Sequence, residues 1–434
     1  MHALRKLLIC GISAASCLPA FAETRPQIAE LSKAVEPKVI EWRRHIHQNP
    51  ELSNREFKTA EMIAGHLEKL GLEVQTGVAH TGVVGLLKGG KPGPVVALRA
   101  DMDALPVKER VDLPFASRAT AEYNGAMVPV SHACGHDTHV AILMGAAEVL
   151  SQMKDQLRGT VKFIFQPAEE GAPKGEEGGA ELMVKQGVLQ KPTVDVIFGL
   201  HISSDTPVGQ VEYRSGGIMA AVDNFRIEVK GKQTHGSTPW TGVDPIVTSA
   251  QIINSLQTIV SRNMPLTQNA AVVTVGSIHG GVRSNIIPES VEMLGTIRTL
   301  DKGMRETVHE RVRKIATSVA EANNATVEVN LPHTTRYPVT YNEPQLTAQM
   351  LPTLERVAGQ DNVLQIDAIT GAEDFSFFQE KVPGLYFFLG GLTPGKDRAD
   401  APPHHTPDFY IDESGLELGV RLMAELTLDY MEGN

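Results

Sequence analysis

The chain has 434 residues, a formal net charge of −11, 42% apolar and 21% charged residues, 39 glycines, 26 prolines and three cysteines. That length suits two domains, each with its own core. An acidic chain without a basic run is a poor partner for nucleic acid or anionic lipid, and three cysteines, two of them among the first 17 residues, exclude a disulfide scaffold.

Residues 1–22, MHALRKLLICGISAASCLPAFA, have the parts of a secretory signal: Arg5 and Lys6, an apolar run from Leu7, and small residues at Ala20 and Ala22. The run is too short to span a bilayer, so soluble export to a periplasm or the exterior is expected, with cleavage after Ala22. Losing Arg5 and Lys6 moves the charge from −11 to −13 and leaves Cys134 as the one cysteine. The alternative is a lipoprotein anchored at Cys17, although Ala14-Ala15-Ser16 lacks the usual leucine.

Residues 23–218 are expected to form the first part of a main domain. In 54–70, NREFKTAEMIAGHLEKL, the spacing predicts a helix with Phe57, Ala60, Ile63, Ala64, Leu67 and Leu70 on one face and Gly71 as the stop. Three compact apolar runs follow at 94–103, 161–170 and 194–201, with a helical stretch at 139–153 between the first two. Runs apolar on both faces, separated by helices, predict an α/β fold with a mostly parallel sheet flanked by helices. From 219 to 334 the pattern changes. Strands at 223–231, 270–278, 290–300 and 325–331 alternate with helices at 244–262 and 305–322. The order β-α-β-β-α-β is ferredoxin-like and reads as an inserted α+β domain. On the helix over 244–262, Ile246, Ala250, Ile253, Leu256 and Val260 are expected to face inward. Residues 335–434 return to the main domain.

Each apolar run ends in side chains able to bind a cation: Asp101 and Asp103, then Glu169 and Glu170, then His201. Open α/β sheets bind ligands at the carboxyl ends of their strands, so these residues are expected along one edge. SHACGHDTH (131–139) adds Cys134 and His136, and the C-terminal part adds His405. Carboxylate, imidazole and thiolate together suit Zn²⁺, Mn²⁺ or Co²⁺ better than Ca²⁺ or Mg²⁺. The donors outnumber what one tetrahedral ion uses, so two divalent transition-metal ions sharing a water are expected.

The strings RRHIHQNPELSNREFKTA (43–60), RADMDALPV (99–107), SHACGHDTHVA (131–141), FQPAEEG (165–171), GLH (199–201), GKQTHGSTPW (231–240), SNIIP (284–288), GAEDF (371–375) and HHTPDF (404–409) resemble the M20 metallopeptidase family, in particular its amidohydrolase branch. The resemblance implies a di-metal catalytic domain whose inserted lid forms a homodimer. It implies Cys134, His136, Glu170, His201 and His405 as metal ligands and Glu169 as catalytic base. His235 matches a histidine that reaches the partner subunit's site and polarises the substrate carbonyl. Asn285 and Arg283 are candidates for gripping a substrate carboxylate. Relatives with a His-x-Asp motif carry histidine where this chain has Asp101, so Asp101 and Asp103 are expected to orient the ligands rather than bind metal. The implied reaction is hydrolysis of N-acyl-amino acids. A dipeptidase or carboxypeptidase is the nearer alternative, and a non-catalytic exported metal- or solute-binding protein the more remote one.

Overall fold

The computed structural model describes residues 25–433; the expected export segment, with Cys10 and Cys17, lies outside them. Helices α1 (Pro26–Gln48) and α2 (Phe57–Lys69) precede strands β1 (Glu73–Val78), β2 (Gly82–Lys88) and β3 (Lys91–Asp101). A hairpin, β4 (Thr120–Tyr123) and β5 (Ala126–Pro129), leads to α3 (His136–Gln152), β6 (Arg158–Gln166), α4 (Gly179–Lys185), β7 (Val196–Pro207), β8 (Val211–Tyr213) and β9 (Gly216–Met219). The middle of the chain gives β10 (Ala221–Lys230), β11 (Thr234–His235), α5 (Pro245–Thr258), β12 (Ala271–Gly280), β13 (Ile286–Ile287), β14 (Ser290–Thr299), α6 (Lys302–Ala322), β15 (Thr326–Asn330) and β16 (Arg336–Tyr337). Last come β17 (Thr340–Asn342), α7 (Pro344–Ala358), β18 (Val363–Gln365), α8 (Ser376–Gln379), β19 (Gly384–Leu392) and α9 (Leu416–Glu432).

The main sheet has eight strands in the order β1-β2-β6-β3-β7-β19-β8-β18. Its centre, β6-β3-β7-β19, is parallel throughout. Period-two alternation sends successive side chains of these strands to opposite faces. Leu98, Phe163, Phe198 and Phe387 join one core with α1, α2, α3, α7 and α9. Ala97, Ile164, Ile197 and Tyr386 join another with α4 and α8. A strand covered on both faces must be apolar on both, which is why these segments read as continuous runs.

The second sheet is antiparallel, in the order β12-β14-β10-β15, with α5 and α6 packed on it over a separate third core. Numbered along the chain, its strands run second, third, first, fourth, the ferredoxin-like arrangement expected from the sequence. The chain leaves and re-enters the main body through paired segments, β9 with β17 and β10 with β16. Among the described residues no helix is long and apolar enough to cross a membrane.

Three local expectations are corrected. α2 begins at Phe57, whose side chain is 61% exposed rather than on the buried face; Glu56 just before it turns inward to hydrogen-bond Thr81 and the Ala168 amide. α5 buries Thr248, Ser249, Ile252 and Leu256, while Ile246 is 44% exposed. Small polar residues fit beneath that helix, and the apolar stripe at 246, 250 and 253 turns partly or wholly outward. β7 continues six residues past His201 to Pro207, held by its ladder with β19.

Candidate metal centre

The donors gather where β3, β6 and β7 deliver their segments and α3 begins. Cys134 and His136 flank Gly135, the residue capping α3, whose φ is +96°. A Cβ at that position would lie 2.3 Å from Ile202 Cγ2. Both the left-handed backbone and the close approach require glycine, and the resulting turn brings its two neighbours into one cavity. His136 Nδ1 donates to the Asp103 carbonyl at 2.9 Å, and its buried Nε2 has no hydrogen-bond partner. His201 Nδ1 likewise donates to the Ile202 carbonyl at 2.6 Å, while Nε2 lies 3.4 Å from Cys134 Sγ. Each ring has spent one nitrogen on the backbone and presents the other.

After β6 the chain turns through Ala168, a non-glycine residue with φ +54°, so that Glu169 and Glu170 leave in different directions. Asp103 fixes that turn: its Oδ1 accepts the Glu169 amide at 3.0 Å and its Oδ2 the Glu170 amide at 3.1 Å. Ser53 Oγ donates to the same Oδ2 at 2.8 Å. Burial opposes the charge on Asp103, but these bonds and the neighbouring His136 hold its carboxyl below the usual range. His405 also adopts positive φ, +63°. Its Nε2 lies 2.9 Å from Glu170 Oε1, yet that oxygen has no partner with hydrogen-bond geometry. With the ring protonated the two atoms form an ion pair, and once that proton leaves both lone pairs are free to face one cation.

Two donor sets result, Cys134/His136/His201 and Cys134/Glu170/His405, each with its donor atoms within 4.8 Å of one another. They share the Cys134 sulfur. The set His136/Glu169/Glu170 lies between them. Nitrogen, oxygen and sulfur donors with orphaned, buried atoms at His136 and Glu170 fit divalent transition-metal ions. Burial, then His139, pushes His201 well below the usual imidazole range, leaving a neutral lone pair. At His136 burial is outweighed by Asp101 and the Cys134 sulfur, which favour positive charge at the ring, proton or metal alike.

Glu169 is buried beside both sets, with Oε1 accepting the Asp374 amide at 3.3 Å. Burial, then Glu373 and Glu170, drives its carboxyl well above the usual range, as a proton-transfer group requires. Asp101 uses both oxygens elsewhere, on His139 Nδ1 at 2.5 Å and on Arg99 at 2.7 Å. His139 in turn accepts the Ile202 amide at 2.8 Å, so Asp101 steadies the strand that carries His201. His404 is likewise consumed, Nδ1 donating to the Cys134 carbonyl at 3.1 Å and Nε2 accepting the Ser204 amide at 3.2 Å.

His235 and Asn285 come together on a small ribbon in which β11 pairs with β13. The Gly236 amide donates to the Asn285 carbonyl at 2.8 Å, and His235 Nδ1 accepts the Ser237 amide at 3.0 Å. His235, Asn285 and Arg283 are all exposed, and the described hydrogen bonds of this ribbon stay within the inserted domain. The structure therefore does not bring these three to the metal donors of their own chain.

Sequence reasoning missed a buried charge network beneath the site. Arg99, inside β3, bonds Asp101, Glu373, Asp374 and Gln166. An arginine in the middle of a strand apolar on both faces was the available signal. His47 is buried as well, between Asp137 and Glu109 at 2.8 and 3.1 Å.

Fold and donor set together define a metal-dependent hydrolase built on a parallel sheet. The chain belongs to peptidase family M20/M25/M40, whose model matches residues 97–429. It is 43% identical to thermostable carboxypeptidase 2 of Saccharolobus solfataricus over 92% of this chain and 96% of that one. It is 38% identical to N-acetylcysteine deacetylase of Bacillus subtilis, covering 92% and 98%. Among solved structures, Bacillus subtilis YxeP, a dinuclear metal-binding peptidase of the M20 family, superposes with a TM-score of 0.76 at 35% identity over 92% of this chain and 99% of that one. Membership of this family sets aside the reading as a non-catalytic binding protein.

Proposed function

We propose that the chain hydrolyses N-acyl-amino acids to a carboxylic acid and a free amino acid. The observation that supports this best is the Glu169-Glu170 pair. Glu170 joins Cys134 and His405 in one donor set, Glu169 beside it carries a carboxyl raised above the usual range, and both amides are pinned by Asp103. Cys134, His136 and His201 would hold one ion, and Cys134, Glu170 and His405 a second. When bound, two divalent ions supply Lewis acidity and make water more acidic. Glu169 takes the proton of the attacking water and passes it to the leaving nitrogen. Asn285 and Arg283 would hold the substrate carboxylate.

Under this reading His235 acts across a homodimer, donating to the developing oxyanion in the partner subunit's site. Exposed apolar side chains on the inserted domain, Trp240, Ile246, Val247 and Val282, support pairing through that domain. Mixing inactive Glu169→Gln and His235→Ala variants should then restore part of the activity, and no recovery despite subunit exchange would remove the role given to His235. Export rests on residues 1–22 alone, and cell fractionation tests it.

A carboxypeptidase reading is favoured by the 43% identical relative. A panel of N-acetyl-, benzoyl- and indole-acetyl-amino acids beside dipeptides, each with Mn²⁺, Zn²⁺ or Co²⁺, separates the two. Cleavage confined to peptides would overturn the N-acyl assignment.

A further inference from the structure

One tyrosine belongs structurally to both sheets. The backbone of Tyr337, in β16, pairs with Val222 in the first strand of the inserted sheet. Its ring packs on the second core of the main sheet, edge-on to Phe377 at 6.0 Å between centroids. Its hydroxyl donates to the Glu169 carbonyl at 2.8 Å. We propose that Tyr337 is a positioning residue that ties the general base to the strands joining the inserted domain to the main sheet. This rests on the role of Glu169 given above.

Three side chains from three distant segments hold this turn. Glu56 accepts the Ala168 amide at 3.0 Å, Asp103 the Glu169 amide at 3.0 Å, and Tyr337 donates to the Glu169 carbonyl. Glu56 and Asp103 belong to the main body. Tyr337 is the one whose backbone is in register with the inserted sheet. Ala168 occupies a backbone region that non-glycine residues enter only when the surroundings impose it, so loosening one tie lets the turn relax and re-aims the carboxylate. Burial among the carboxylates of Asp374, Glu169 and Asp103 keeps the phenol protonated, so the hydroxyl stays a donor. A displacement of the inserted sheet would therefore reach the base through one rigid side chain.

The test is Tyr337→Phe in the full-length, metal-loaded enzyme, which keeps the ring and removes the hydroxyl. An orphaned carbonyl at the base should lower kcat about tenfold, with KM within twofold, metal content unchanged and no more than the small drop in unfolding midpoint that one lost hydrogen bond brings. In a Glu169→Asp background, where the base is already displaced, the same change should alter kcat by less than twofold. A Tyr337→Phe kcat within twofold of wild type would overturn the proposal. So would a tenfold loss that persists in the Glu169→Asp background, or one accompanied by lost metal, since either marks a general structural role. Full turnover by Glu169→Gln would instead remove the base assignment itself, whatever Tyr337→Phe does.

Discussion

Replacing Asp103 with asparagine keeps the shape of the side chain and removes one acceptor. In the native protein its two oxygens receive the Glu169 and Glu170 amides at 3.0 and 3.1 Å, and the second also receives Ser53. Asparagine can serve one amide through its oxygen, but its NH₂ then faces the other N–H. A buried N–H left without an acceptor costs about 1–3 kcal/mol. If that energy appears as displacement of the glutamate pair, turnover falls roughly 5- to 150-fold, since each 1.36 kcal/mol is tenfold. Residues that hold metal ligands in place give a comparable loss, about 10- to 100-fold. We therefore expect Asp103→Asn to lower kcat about 30-fold with little change in KM. Metal affinity should weaken as well, because Glu170 moves with Glu169. The assay is release of free amino acid at saturating metal, with affinity measured by chelator competition. A variant within about threefold of wild type in kcat, with unchanged affinity, would refute the idea that this carboxylate sets the pair.

Cys134→Ala should abolish tight binding in both donor sets, and full metal occupancy with normal turnover would show that the sulfur is not a shared ligand. Metal uptake should strengthen as pH rises. Cys134, then Glu170, hold His405 up to about 10, and burial, then Glu170, raises the Cys134 thiol. Both must lose protons to bind an ion, so binding releases protons and apparent affinity climbs between about pH 6 and pH 9; calorimetry in buffers of different ionisation enthalpy measures the release, and a flat profile would contradict it. Gly135→Ala forces a methyl against Ile202 at 2.3 Å in a left-handed backbone. Steric overpacking of about 1–3 kcal/mol plus a backbone term of about 1–2 kcal/mol predicts a loss of roughly 2–5 kcal/mol by denaturant unfolding, and a change under about 1 kcal/mol would show that the turn can relax.

The central strands were legible because burial on both faces writes itself as an unbroken apolar run, and the donors stood out because carboxylates and histidines ended or interrupted those runs. The inserted sheet could be read from its alternation, in which Phe225, Ile227 and Val229 share the inward face. What stayed hidden depends on contacts between distant segments. The inward face of α5 was misread because it is built on Thr248 and Ser249, whose burial follows from how closely the helix meets its sheet. The grip of Asp103 on two amides 66 and 67 residues away is invisible to any local pattern. Helices α1, α7 and α9 went unread; all three pack on the first core.

A sulfur common to both donor sets makes the centre a single target for oxidants. Under the proposed assignment, converting that thiol to a sulfenic or sulfinic acid would remove a donor from both sets in one event. Cys134 is the only free cysteine among the described residues. In chains lacking residues 1–22, titrating the remaining thiol after metal removal would therefore count intact centres directly, and peroxide inactivation should follow single-hit kinetics.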